Sequence, residues 1–106
     1  MIRATVTAKM GGAKRLIKFG TNATDLFCNL YGIGLSEIAE ILETPRPGHY
    51  RDLIWSGLVA GVGGEDKADF TRFDVGDWID EMPQDEFERI WSSFDAPPQG
   101  KTGRKS

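Results

Sequence analysis

The sequence is poor in the residues that build disulfides and metal centres. Its 106 residues include one cysteine, Cys28, and one histidine, His49. A single cysteine excludes an internal disulfide and a zinc site built from cysteines. A lone histidine needs well-placed partners for a catalytic triad or a metal site, and the nearby Asp52 and Ser56 do not by themselves establish either. We therefore expect Cys28 to be a small buried residue in a helix and His49 to lie in a first helical turn.

Long apolar runs are also missing. No stretch approaches the roughly 20 apolar residues that cross a bilayer. The first ten residues lack the apolar region and cleavage site of a signal peptide. We expect a protein of a reducing cytoplasm that binds no membrane. A composition of 40% hydrophobic and 27% charged residues is typical of a folded chain, and this length suits one domain.

Acidic residues are absent from both ends of the chain. Residues 1–18 hold five cations and no carboxylate, residues 96–106 hold three cations, and all sixteen acidic residues lie between them. An acidic body repels phosphate backbones, and alternation along a strand predicts that the N-terminal cations divide between two faces. The pattern argues against nucleic-acid binding, but a module that uses the basic hairpin and tail is left as an alternative.

Chemical motifs are incomplete or absent. Gly100, Lys101 and Thr102 end like a phosphate-binding loop, but Asp95 holds the position of its first glycine. No strand pattern precedes this segment and no helical pattern follows it. Carboxylates spaced by three fit the solvated faces of amphipathic helices, as in Glu37-Glu40-Glu43 and Asp74-Asp77-Asp80. We find no catalytic constellation and predict no enzyme activity, no cofactor and no metal.

Local patterns predict an α+β fold for a single domain over residues 1–95. Alternating residues on either side of Gly11-Gly12 indicate a β-hairpin over 2–19. Apolar spacing of i, i+3, i+4, i+7 then predicts about five α-helices, with Asn22 and Asp74 as N-caps. These helices cover 22–31, 35–42, 49–60, 74–82 and 83–94. A lone hairpin is marginal, so we expect it to pack against the helices, while residues 96–106 are predicted to be a disordered basic tail.

The third predicted helix is apolar around most of its circumference. Such a helix must be buried on two sides, by its own domain or by another chain. We predict a partner-binding face on it at Arg51, Trp55 and Leu58, which lie at i, i+4 and i+7. The partner is a protein, with self-association included among the uses of this face. If the prediction holds, replacing Trp55 by Asp abolishes partner binding and leaves the fold intact.

Three short motifs follow one another along the chain. They are Lys18-Phe19-Gly20, Tyr31-Gly32-Ile33-Gly34-Leu35, and Leu53-Ile54-Trp55-Ser56-Gly57-Leu58. With the acidic helix pair that comes after them, this order resembles the tail assembly chaperones of long-tailed, siphovirus-like bacteriophages over about residues 14–94. Tyr31 departs from the pattern, which has Leu or Ile at that position.

The resemblance implies a function, partners and a location. Proteins of this group bind the tape measure protein, keep it soluble and help to recruit tail tube subunits. They act in the host cell cytoplasm and are absent from the mature virion. Many also have a longer form, made by ribosomal frameshifting near the 3′ end of the gene, and Gly100-Lys101 is the candidate position here. A small cytoplasmic protein-binding adaptor or regulator without a phage role is the alternative.

Overall fold

The computed structural model describes residues 4–95 and confirms the α+β architecture, a two-stranded antiparallel hairpin followed by five α-helices. A short 3-10 turn, Glu65–Lys67, joins the third and fourth helices. The predicted tail and the candidate frameshift position Gly100-Lys101 lie outside the described residues. The elements are β1 (Ala4–Met10), β2 (Ala13–Phe19), α1 (Thr21–Tyr31), α2 (Leu35–Glu43), α3 (Pro47–Val62), α4 (Arg72–Glu81) and α5 (Gln84–Asp95).

The hairpin closes through the two glycines that the sequence indicated. Met10 pairs with Ala13, and the intervening Gly11 and Gly12 have φ angles of 62° and 79°. Positive φ at both positions of a two-residue turn strains any side chain with a Cβ, whereas glycine adopts it freely. A Cβ at Gly11 would also overlap the ring of Trp78 in α4, so this turn is fitted to the helix beneath it.

One face of the hairpin is apolar and the other carries lysines. The hairpin cations divide between the two faces as predicted, but unequally, because Lys9, Lys14 and Lys18 share the exposed face. The register pairs Lys9 with Lys14, and Lys18 lies an even number of residues further along β2, so all three point outward. Arg15 points the other way, and its Nε donates to the carbonyl oxygen of Met10 at 2.8 Å.

α3 is the central helix of the fold, as its sequence predicted. It contacts β2, α1 and α4. Glycine allows the hairpin to approach α3 closely, because a Cβ at Gly57 would lie 2.6 Å from Cγ2 of Ile17 and 2.9 Å from Cε1 of Phe19. A Cβ at Gly61 would overlap the carbonyl oxygen of Leu16. The buried core around α3 comprises Val6, Ala8, Met10, Ile17, Phe19, Ala23, Phe27, Leu53, Ile54, Leu58, Val59, Phe70, Val75 and Ile90.

Two helices begin two residues earlier than the apolar spacing indicated. α3 starts at Pro47, whose missing N–H is not needed in a first turn. His49 lies in that turn, as predicted, and its Nδ1 accepts a hydrogen bond from the N–H of Arg46 at 2.9 Å. α4 starts at Arg72 and its N-cap is Thr71 rather than Asp74. The apolar pattern underestimates the length of both helices, because the first turn of a helix is often polar.

The corrected start of α4 rests on a reciprocal pair of hydrogen bonds. The Thr71 hydroxyl accepts from the N–H of Asp74 at 3.2 Å, and the Asp74 carboxylate accepts from the N–H of Thr71 at 2.8 Å. This capping box satisfies two amides that the helix leaves without partners. At α1 the N-cap is Gly20, so the predicted cap Asn22 lies inside the helix.

Candidate partner-binding site

The predicted binding face on α3 does not form a continuous surface. Leu58 is 1% exposed and belongs to the core, so its assignment to that face is corrected. Trp55 is partly buried and packs against the core cluster, and Arg51 is partly exposed. The reason is that β2, α1 and α4 of the same chain cover most of α3. Of the three residues, Arg51 alone borders the groove described below.

Beside Arg51 lies a buried carboxylate that holds three helices together. Asp52 of α3 is 1% exposed, and its Oδ2 accepts a hydrogen bond from the Tyr31 hydroxyl of α1 at 2.6 Å. Arg51 Nε donates to Oδ1 at 2.8 Å, and Arg51 Nη2 lies 3.3 Å from Oδ2. Arg72 of α4 adds a third side chain, with Nη1 at 3.4 Å from Oδ2. Both carboxylate oxygens are therefore satisfied, as a buried charge requires.

These contacts set the ionisation of both acidic groups. Burial alone would raise the pKa of Asp52, but the hydrogen bonds from Arg51 and Tyr31 and the two guanidinium charges outweigh it, so the pKa lies below its usual value. For Tyr31, burial first and then the hydrogen bond to Asp52 and its negative charge raise the pKa to about 12. Asp52 is thus ionised and Tyr31 protonated at neutral pH.

His49, Asp52 and Ser56 do not form a catalytic triad. The Ser56 hydroxyl donates to the backbone carbonyl of Asp52 at 2.8 Å, within its own helix. His49 uses Nδ1 to cap that helix, and the Asp52 carboxylate is taken up by the tyrosine and the arginines. In its described part the chain contains no group of three or more His, Cys, Asp or Glu side chains placed to hold a metal ion. The arrangement stabilises the junction of α1, α3 and α4.

Cys28 is partly exposed, not buried as expected. Burial, and then the charges of Asp25 and Glu37, raise the pKa of its thiol. A raised pKa keeps a cysteine protonated and therefore a poor nucleophile or metal ligand.

No helix within residues 4–95 is long and apolar enough to cross a membrane.

A groove of about 280 Å³ lies where the first turns of α3 meet α4 and α5. We call it the α3–α4–α5 groove. Its walls are mostly apolar side chains, with two carboxylates at the α4 side and Arg51 at the α3 side. The lining residues are Pro47, Gly48, Tyr50, Arg51, Phe73, Gly76, Asp77, Ile79, Asp80 and Phe87.

Phe73 is the most exposed large hydrophobic side chain of this groove. It is 81% exposed, more than any other large hydrophobic side chain in the described part of the chain. Nearby, Tyr50 packs edge-on to Phe87, with ring centroids 5.5 Å apart, so one wall is a fixed aromatic surface. Large exposed apolar side chains beside a fixed apolar wall are a common feature of protein-binding surfaces.

Sequence reasoning missed Phe73, Asp52 and Arg72. Phe73 falls outside the predicted helix 74–82, so the apolar spacing does not assign it to a buried or an exposed helix face. Asp52 carries a usable signal, since a carboxylate within a nearly all-apolar helix, next to Arg51, indicates a buried ion pair. Arg72 carries no such signal in the sequence, because its pairing with Asp52 depends on how α4 packs against α3.

The chain matches no protein-family model, no curated protein and no solved structure.

Proposed function

We propose that this protein is a phage tail assembly chaperone that binds the tape measure protein, keeps it soluble and helps to recruit tail tube subunits. The proposal starts from the order of the three sequence motifs. Its structural support is that residues of the first and third motifs are neighbours in the folded chain. Phe19 lies against Gly57, and Ile17 lies beside the same glycine.

The groove gives this function a surface. A tape measure protein carries long apolar or coiled-coil segments that aggregate when they are left bare. A small acidic domain can cover such a segment and add net charge, which favours solubility. The α3–α4–α5 groove provides an exposed apolar contact, Phe73, within an acidic surrounding.

Co-expression with the tape measure protein of the same genome tests the proposal. The soluble fraction of the tape measure protein should rise severalfold when this chain is present, and the two should co-purify. No change in that fraction would refute the chaperone function and favour the adaptor alternative. The nucleotides of codons 99–106 provide a separate check, because a slippery heptamer at Gly100-Lys101 with an overlapping open frame would support the proposal.

A further inference from the structure

We infer that the α3–α4–α5 groove binds one amphipathic helix of a partner protein, and that this helix is cationic. Its apolar stripe packs against Phe73 and the Tyr50–Phe87 wall, and lysine or arginine side chains beside the stripe pair with Asp77 and Asp80. The inference deepens the proposed chaperone function and rests on it for the existence of a protein partner.

The charge of the partner is inferred from the charged side chains of the groove that have no partner within the described chain. Asp77 and Asp80 are exposed, and neither makes an ion pair or hydrogen bond with another residue of 4–95.

The cations within α3, α4 and α5 are already engaged, and Arg46, the exposed N-cap of α3, lies just outside these helices. Arg51 and Arg72 both bind the buried Asp52. Arg89 binds Glu86 at 2.7 Å and the carbonyl oxygen of Thr7 at 2.8 Å. No described cation of these helices is therefore left to neutralise the two aspartates, so a cation from another molecule gains from binding there.

The helical conformation of the partner segment is inferred from the elements that line the groove. All the lining residues belong to helices α3, α4 and α5, so the groove presents no strand edge with free amides and carbonyls. An extended peptide gains much of its affinity from such an edge, whereas a helix satisfies its own backbone and binds through side chains.

Isothermal titration calorimetry with designed peptides tests the inference. The probe is a 15-residue helical peptide with Leu at i, i+3, i+4 and i+7 and Lys beside the stripe. One control peptide has Glu in place of every Lys, and a second has the first composition in scrambled order. We expect the Lys peptide to bind and the other two to bind at least about tenfold more weakly. Equal binding of the Glu peptide would overturn the cationic partner, and equal binding of the scrambled peptide would overturn the helix.

Variants of the full chain locate the binding. Phe73→Ser should weaken binding of the Lys peptide at least about tenfold, and the double variant Asp77→Asn/Asp80→Asn should weaken it and flatten its salt dependence. Leu35→Ser is the matched control, because Leu35 is also exposed, at 60%, but lies on α2 away from the groove. Unchanged binding by Phe73→Ser, or an equal loss in Leu35→Ser, would refute the groove as the site. Circular dichroism and urea midpoints confirm that each variant is folded.

Two further measurements test the inference. Sedimentation velocity distinguishes a partner-binding groove from a self-association surface, and co-expression tests the groove separately from the chaperone function. Sedimentation velocity of the unliganded protein should show a single monomeric species. A dimer that disappears in Phe73→Ser would overturn the inference in favour of a second copy of this chain. In co-expression, wild-type and Phe73→Ser proteins that solubilise the tape measure protein equally would refute the groove and leave the proposed function standing. Binding of the Lys peptide by a protein that leaves the tape measure protein insoluble would refute the function and retain the groove.

Discussion

The hydroxyl of Tyr31 lies 2.6 Å from Oδ2 of Asp52 and joins the last residue of α1 to the first half of α3. The same carboxylate binds Arg72 from α4. One buried charge thus connects three of the five helices, including α4, which carries the exposed Phe73. The shape of the α3–α4–α5 groove therefore depends on this ion-pair cluster, and one of its members, Arg51, also borders the groove.

The two arginines of this cluster should contribute unequally to stability. Arg51 makes two contacts with Asp52, at 2.8 and 3.3 Å, and its side chain is 31% exposed. Arg72 makes one contact at 3.4 Å and its side chain is 43% exposed. We expect Arg51→Met to lower the free energy of unfolding by about 2–3 kcal/mol, because it leaves a buried carboxylate short of partners. Arg72→Met, the matched control, should cost less than about 1 kcal/mol.

Urea denaturation of both variants at neutral pH measures this difference. Equal losses would contradict the assignment of Arg51 as the main partner of Asp52. Because Arg51 also borders the α3–α4–α5 groove, peptide binding by the two variants is informative only after stability has been compared.

Tyr31→Phe should change how stability depends on pH in the alkaline range. In the folded chain the pKa of Tyr31 is raised to about 12, whereas an unfolded tyrosine titrates near a pKa of about 10. The stabilisation from this tyrosine is therefore complete below about pH 10 and is lost as the pH rises towards 12. At neutral pH the variant should be less stable by about 1.5–3 kcal/mol, the usual effect of a lost hydrogen bond to a charged group.

Chemical denaturation of wild-type and Tyr31→Phe proteins between pH 7 and 12 tests this. The stability gap should close as the pH rises from 10 to 12. Tyr50 is present in both proteins and so does not affect the comparison. A gap that stays constant over this range would show that Tyr31 does not hold its proton against Asp52.

Two glycines of α3 should resist replacement even though alanine favours helices. Alanine gains about 1 kcal/mol over glycine in a helix interior. At Gly57 its Cβ would lie 2.6 Å from Ile17 in the core, and we expect a net loss of about 1–2 kcal/mol. The loss at Gly61 should be larger, because the obstacle there is the backbone carbonyl of Leu16, which has less freedom to move.

Gly48→Ala is the matched control in the same helix. Its Cβ would lie 3.7 Å from Nη2 of Arg51, an ordinary contact, so this variant should be neutral or slightly more stable. Thermal unfolding of the three variants gives the order directly. A Gly57→Ala protein as stable as Gly48→Ala would show that the hairpin does not approach α3 as closely as described.

The sequence predicts the architecture well and the surface less well, and α3 shows why. Its apolar circumference predicts a central helix correctly, because burial of apolar area is a property of the segment itself. Whether a given side chain on it stays accessible depends on what packs against it. Helical spacing places Leu58 on a binding face, yet α3 is covered at Leu58 by other elements of the same chain. The exposure of Phe73 likewise depends on the packing of α4, which a single helical pattern cannot supply.

Trp55→Asp should destabilise the fold instead of selectively removing a binding contact. Trp55 packs against the core cluster and is partly buried, so a carboxylate in its place would lose apolar contacts and bring a charge close to the core. We expect a loss of about 2–4 kcal/mol in the free energy of unfolding. Phe73→Ser should change stability by less than about 0.5 kcal/mol, because Phe73 is 81% exposed. Urea denaturation of the pair separates the two roles, and a Trp55→Asp protein of wild-type stability would restore Trp55 as a candidate binding residue.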